Sequence, residues 1–143
     1  MPKVVPVGLS GVRALLVDDS AAWLSFVTER LKEVNMDVVG VAFNGLDAVL
    51  LVEALQPDLL LLNISLPTRS GFVVARQTRQ LSPRTRILFA TGIADPAAIR
   101  EALKAGGHGH VRKSLAGNLL LEAVTAVMAG ELFIDPPGID LSE

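Results

Sequence analysis

The sequence predicts an α/β domain built on an open parallel sheet with helices on both faces. Apolar, β-rich runs alternate with amphipathic runs five times along the chain. The connections between them are short, as a chain of βα units requires. The run Leu59–Leu62 is four consecutive leucines, a pattern suited to a mid-sheet strand covered on both sides.

Each element has its own signal. After an N-terminal extension of residues 1–11, the first strand is read at Val12–Val17. A helix follows with Trp23, Phe26, Val27, Leu31 and Val34 on one side, and Ser20 is placed to cap it. Trp23 on that stripe reads as packing rather than as a stacking platform. The second strand is Val38–Ala42; Asn44-Gly45 then turns into a helix that ends at Gln56-Pro57. Leu59–Leu62 is the third strand, Pro67 to Gly71 a loop, and Phe72–Leu81 a helix with a weaker stripe. Arg86–Ala90 is the fourth strand. The next helix has Asp95 as N-cap, Pro96 at its first position, and Gly106 or Gly107 at its exit. Gly109–Val111 is a short fifth strand, and Leu119, Ala123, Val124 and Val127 face a last helix stopped by Gly130. Three consecutive leucines, Leu119–Leu121, must point in three directions on a helix. At least one is therefore expected on the surface, available to a partner or a second copy. Residues 131–143 read as a tail or linker.

Composition narrows the function classes. A chain of 143 residues can bury roughly 70% of its unfolded surface. Half its residues are hydrophobic and 20% charged, which excludes global disorder. The absence of Cys excludes disulfides, zinc–thiolate sites and thiol catalysis. The apolar runs fall far short of the ~20 residues that span a bilayer. The start MPKVVPVGLSGVR lacks the apolar segment of a signal peptide. A cytoplasmic protein without membrane contact is expected. Thirteen basic and fifteen acidic residues give a net charge of −2, with no basic stripe for nucleic acid.

In open α/β sheets the ligand site lies at the carboxyl ends of the strands. Asp18, Asp19, Asn63, Thr91 and Lys113 each sit at or just after such an end. The adjacent acids Asp18 and Asp19 repel unless a cation lies between them, which reads as a Mg2+ site. The plainer alternative is one capping acid and one solvated acid. Lys113 reads as their counter-ion or as a grip on a phosphoryl oxygen, against the alternative of a surface lysine. Thr91 offers a hydroxyl to an anion, against the alternative of a turn residue. His108 and His110 share a strand face but lack a third ligand, so packing or surface roles are favoured over a metal. Arg76, Arg79, Arg84 and Arg86 read as a solvated face.

The order VDDS, LLLLNISLP with TRSG, ATG and GGHGHVRKS resembles the receiver domain of two-component response regulators, over Val12 to Gly130. That resemblance implies a five-stranded parallel sheet of order 2-1-3-4-5 with five helices, the flavodoxin/CheY-like arrangement. In that family an acid pair and a third-strand aspartate bind Mg2+, and the aspartate accepts a phosphoryl group from a sensor histidine kinase. By resemblance Asp18, Asp19, position 63 and the Ser65 carbonyl are the metal ligands. Thr91 and Lys113 are the phosphoryl contacts, and Thr91 with His110 forms the switch pair. The segment GELFIDPP resembles the junction before a LuxR/NarL-type helix-turn-helix effector, and Leu141-Ser142-Glu143 resembles the effector's first residues. No nucleic-acid contact is expected from this chain itself.

Two positions depart from the family pattern. Position 63 is Asn where the family has its acceptor Asp, and position 110 is His where it has an aromatic switch. A carboxylate attacks phosphorus with a charged, free lone pair, and an amide oxygen lacks both to a useful degree. The sequence therefore predicts a phosphorylation-deficient, non-enzymatic receiver that acts by protein contact, with Mg2+ weak or absent. Asn63 reads either as a natural feature or as a change from Asp that holds the inactive state. A haloacid dehalogenase-type phosphatase is the competing enzyme reading, but that chemistry wants Asp-x-Asp after the first strand. A flavodoxin-like cofactor binder ranks third, because DDSAAW stands where its phosphate loop belongs.

Overall fold

The computed structural model describes residues 8–92 and 95–142. Residues 1–7 of the N-terminal extension and Glu143 lie outside the described residues. The described chain forms β1 (Arg13–Val17), α1 (Ala21–Lys32), β2 (Asp37–Ala42), α2 (Gly45–Leu55), β3 (Leu59–Leu62) and α3 (Gly71–Leu81). It continues with β4 (Arg86–Thr91), α4 (Pro96–Lys104), β5 (Gly109–Arg112), a 3-10 turn at Lys113–Leu115, α5 (Ala116–Met128) and β6 (Phe133–Ile134). The strands order as β2-β1-β3-β4-β5-β6, all pairs parallel.

The five expected strands take the expected order, and the difference is β6 at the edge. A strand of two residues has no period to read. It is held by tertiary bonds, Phe133 N–H to His108 O at 3.4 Å and Asp135 N–H to His110 O at 2.9 Å. Residues 131–143 thus begin on the sheet.

The leucines of β3 divide between two cores. Leu59 and Leu61 pack with Leu16, Leu24, Val27, Leu31, Leu120 and Val124. Leu60 and Leu62 pack with Leu15, Val17, Val52, Val74, Ile87 and Phe89. Alternate side chains of a strand point to opposite faces, so an unbroken leucine run feeds both layers. The capping expectations are realised locally. Ser20 Oγ accepts the Trp23 N–H, Asn44 Oδ1 the Asp47 N–H, and Asp95 Oδ1 the Ala97 N–H.

The expectation of an exposed leucine on α5 is corrected. Leu120 is buried, while Leu119 and Leu121 are half-buried against the α1/α5 core, so none of the three is fully exposed. The exposed apolar side chains instead include Val41 and Phe43 at the end of β2 and Leu46 and Leu50 on α2.

The loop between β3 and α3 is tied on both sides. Gly45 N–H donates to Pro67 O at 3.0 Å, and Gly71 N–H to Ile64 O at 2.7 Å. A methyl at Gly71 would run into the carbonyl oxygen of Asn63 and lie 2.9 Å from Ile64 Cα. Backbone atoms cannot swing aside as a side chain can. Gly71→Ala is therefore expected to cost about 3 kcal/mol, the upper part of the usual overpacking range. Urea unfolding checks it, through a lowered midpoint at unchanged slope.

Candidate functional site

The parallel register brings the strand ends into one row. Asp18 N–H donates to Ala42 O and Asn63 N–H to Val17 O, each at 3.1 Å, so these residues leave β1 and β3 side by side. Leu62 pairs with Phe89, and Thr91 with Arg112, which carries the row across to Lys113.

Asp18 is completely buried. Its Oδ1 accepts the Ser20 N–H at 2.9 Å, which also starts α1. Its Oδ2 lies 2.5 Å from Lys113 Nζ at an angle poor for a hydrogen bond, so charge is what holds that pair. The same ammonium stands 5.3 Å from the Trp23 ring centroid, within cation–π range. Trp23 is half-buried and packs on Phe26 at 5.6 Å, so packing is one of two roles for its ring. Asp19 is exposed beside the pair.

Asn63 is engaged by its own loop at both ends of its amide. Oδ1 accepts the Ile64 N–H at 2.9 Å, and Nδ2 donates to Ser65 O at 3.2 Å. The Ser65 carbonyl assigned to a metal by resemblance is thus the amide's acceptor. Asn63, Ile64, Ser65, Thr91, Gly92, Asp95 and Ala98 line a cavity of about 360 Å3.

Thr91 and His110 are both buried and joined, Oγ1 to Nε2, at 2.7 Å. His110 Nδ1 lies 2.7 Å from Asp135 O. The Asp135 carboxylate accepts from Arg112 N–H at 2.9 Å, Nε at 3.2 Å and Nη2 at 2.8 Å. Burial holds the His110 imidazole below its ordinary pKa, against the Asp135 carbonyl and charge that favour protonation. For Asp135 burial alone would raise the carboxyl, but the Arg112 hydrogen bonds and charge outweigh it and lower the pKa. His108 is also lowered, by burial and by the charges of Arg86 and Arg79, and its Nδ1 accepts the Ile87 N–H at 2.9 Å. The two histidines therefore face different partners. Of the arginines read as a solvated face, Arg76 pairs with Glu101 at 2.7 Å.

Asp135, Arg112 and the second role of Trp23 escaped the sequence reading. The available signal for Asp135 was a lone acid before Pro136-Pro137 in a stretch without periodicity.

Mg2+ demands about six oxygens in near-octahedral array. Asp18 Oδ1 is taken by an N–H and Oδ2 by an ammonium; Asn63 Oδ1 is taken by an N–H and Ser65 O by the amide. Among the described residues no group of three or more His, Cys, Asp or Glu is placed to hold a metal. Each of these oxygens has a partner but keeps a second lone pair, so Asp18, Asp19, Asn63 and the Ser65 carbonyl remain oxygen donors, with one charge fewer than a carboxylate at position 63 would give.

A doubly wound parallel domain with a buried acid, a lysine, a hydroxyl and an amide at its strand ends carries its polar groups where open α/β sheets bind their ligands. The sequence profile of the response regulator receiver domain matches residues 14–125, and the chain belongs to that family. The chemotaxis protein CheY of Thermotoga maritima is 27% identical over 117 residues, covering 82% of this chain and 98% of that protein. The transcriptional activator protein ExaE of Pseudomonas putida is 35% identical over 86% of this chain and 58% of its own length. The crystal structure of a LuxR-family two-component response regulator from Aurantimonas sp. SI85-9A1 superposes with a TM-score of 0.80 at 31% identity, covering 89% of this chain and 91% of that one. Receiver domains interact with histidine kinases, generally bind Mg2+ at the acidic site, and are generally not enzymes. No helix among the described residues is long and apolar enough to cross a membrane.

Proposed function

We propose that this receiver signals by contact and does not accept a phosphoryl group. The observation that carries the reading is Asn63, an amide at the acceptor position with both ends engaged by its own loop. In this reading Lys113 and Thr91 keep the places of the phosphoryl contacts, and Thr91 with His110 forms the switch pair. Asp18, Asp19, Asn63 and Ser65 are the donors of a metal centre one charge short, so Mg2+ binds weakly or not at all.

The receiver unit is residues 12–130 with the edge strand β6 added to its sheet, and the rest of residues 131–143 leads from it towards a helix-turn-helix effector of a transcription regulator. ExaE and the LuxR-family structure support that context. The partners are a sensor histidine kinase and either the effector domain or a second receiver copy; DNA is not touched by these residues, and the setting is the cytoplasm.

The test uses Trp23, whose ring lies beside Lys113 and reports on the acid pair. Titrated with Mg2+ to millimolar concentration, the protein is expected to show no saturable change in tryptophan fluorescence. A saturable response at micromolar Mg2+ would mean that the site is a working metal centre.

A further inference from the structure

The buried chain Thr91–His110–Asp135–Arg112 joins the candidate site to the edge strand β6, and chemistry dictates its proton order. A peptide carbonyl has no proton to give, so the 2.7 Å contact with Asp135 O places the ring proton on His110 Nδ1. In the neutral ring favoured by burial, Nε2 is then the acceptor, and Thr91 Oγ1–H donates to it at 2.7 Å. Asp135 N–H donates in turn to His110 O at 2.9 Å, so the two residues clasp each other across the strand pair. Three bonds from Arg112 keep the Asp135 carboxylate in place.

We propose that Asp135 is a positioning residue that acts through His110. By fixing the Nδ1–H tautomer, it turns the Thr91 hydroxyl proton towards the ring and away from the cavity beside Asn63. Release of the edge strand Phe133–Ile134 removes the acceptor from Nδ1, lets the tautomers exchange, and frees the Thr91 hydroxyl to donate into that cavity. The C-terminal segment and the strand-end mouth are thereby coupled without phosphorylation. This rests on the reading of the chain as a receiver that signals by contact, but its test uses neither phosphodonor nor Mg2+, so the two can fail separately.

The test is 15N–1H correlation spectroscopy of the imidazoles in the whole chain, with the two histidines assigned through His108→Gln. His110 is expected as the Nδ1–H tautomer. His108 is expected as the opposite one, because its Nδ1 accepts the Ile87 N–H. Asp135→Ala keeps the carbonyl that accepts from Nδ1 but removes the three Arg112 bonds that hold the segment against it, so the His110 ring should begin to exchange tautomers, with the Thr91 and Asn63 side-chain signals moving while His108 does not. Placed in a His110→Phe background, Asp135→Ala should leave Thr91 and Asn63 unmoved. His110 found as Nε2–H in the unaltered chain, or Thr91 moving equally with and without the imidazole, would overturn the proposal. The first of these readings needs no Asp135 variant, so a variant that fails to fold still leaves the question decided.

Discussion

Incubated with Mg2+ and acetyl phosphate, the protein is expected to keep its mass, while Asn63→Asp gains one phosphoryl group. The unaltered chain has no nucleophile at the end of β3. Asp18 is buried with both oxygens engaged, and Asp19 faces solvent. The exchange changes more than one atom's charge. A carboxylate cannot donate to Ser65 O, so the amide's bond to that carbonyl is lost and the lone pair it used is freed for a cation. The Ile64 N–H remains to orient one oxygen of the new carboxylate. Negative charge then stands beside Asp18, and a divalent ion relieves the repulsion between them. Intact mass spectrometry of the two proteins side by side reads the result. A mass gain on the unaltered protein, or an Asn63→Asp variant that binds Mg2+ without gaining mass, contradicts the reading. A phosphorylated variant would also separate chemistry from switching, because His110 holds Thr91 in a hydrogen bond.

Lys113→Ala is expected to lower stability by about 2–3 kcal/mol. Breaking a fully buried ion pair by removing one partner costs about 3–5 kcal/mol, because the remaining charge is stranded. The Asp18 side chain is 1% exposed, but that of Lys113 is 21% exposed, so solvent screens part of the loss and it falls just below that range. Lys113→Met keeps much of the stem against Trp23 and isolates the charge. Adding Asp18→Asn to Lys113→Met should recover part of the loss by removing the stranded carboxylate. Urea unfolding checks all three variants, and a Lys113→Ala protein as stable as its parent would mean that solvent screens the pair completely.

Much of the fold was legible because its signals are local. Ser20, Asn44, Asp95 and Pro96 mark helix starts through their own side chains, and each cap lies within three residues of its partner. The strand ends at Asp18, Asn63 and Thr91 were legible because each is a polar residue closing an apolar run. What stayed hidden depends on contacts distant in sequence. β6 exists through bonds from Phe133 and Asp135 to residues 25 positions earlier. The ammonium of Lys113 meets a ring 90 positions away, and neither residue carries a mark of the other. The internal hydrogen bonding of Asn63 is local, yet it depends on how the Ile64–Ser65 backbone turns, which residue identity does not specify. The three leucines of α5 were misread because a helix wheel counts directions and does not show how wide the covering layer is.

The strand β3 has a further consequence for how the sheet assembles. Four identical side chains carry no phase: a slip by one residue would place leucine where leucine was, on either face. Elsewhere the contrast between apolar and polar positions penalises such a slip. Here the penalty must come from the ends. At one end Asp58 N–H donates to Arg13 O at 2.9 Å, its carboxylate accepts the Arg13 N–H at 2.9 Å, and its carbonyl accepts the Arg86 N–H at 2.9 Å. At the other end Asn63 N–H closes the ladder on Val17 O. Asp58 and Asn63 act as stops between which the leucines slide into place. Since the stop at position 63 is made by the backbone, Asn and Asp set it equally well, and the assembly of the sheet is indifferent to the exchange that decides the chemistry.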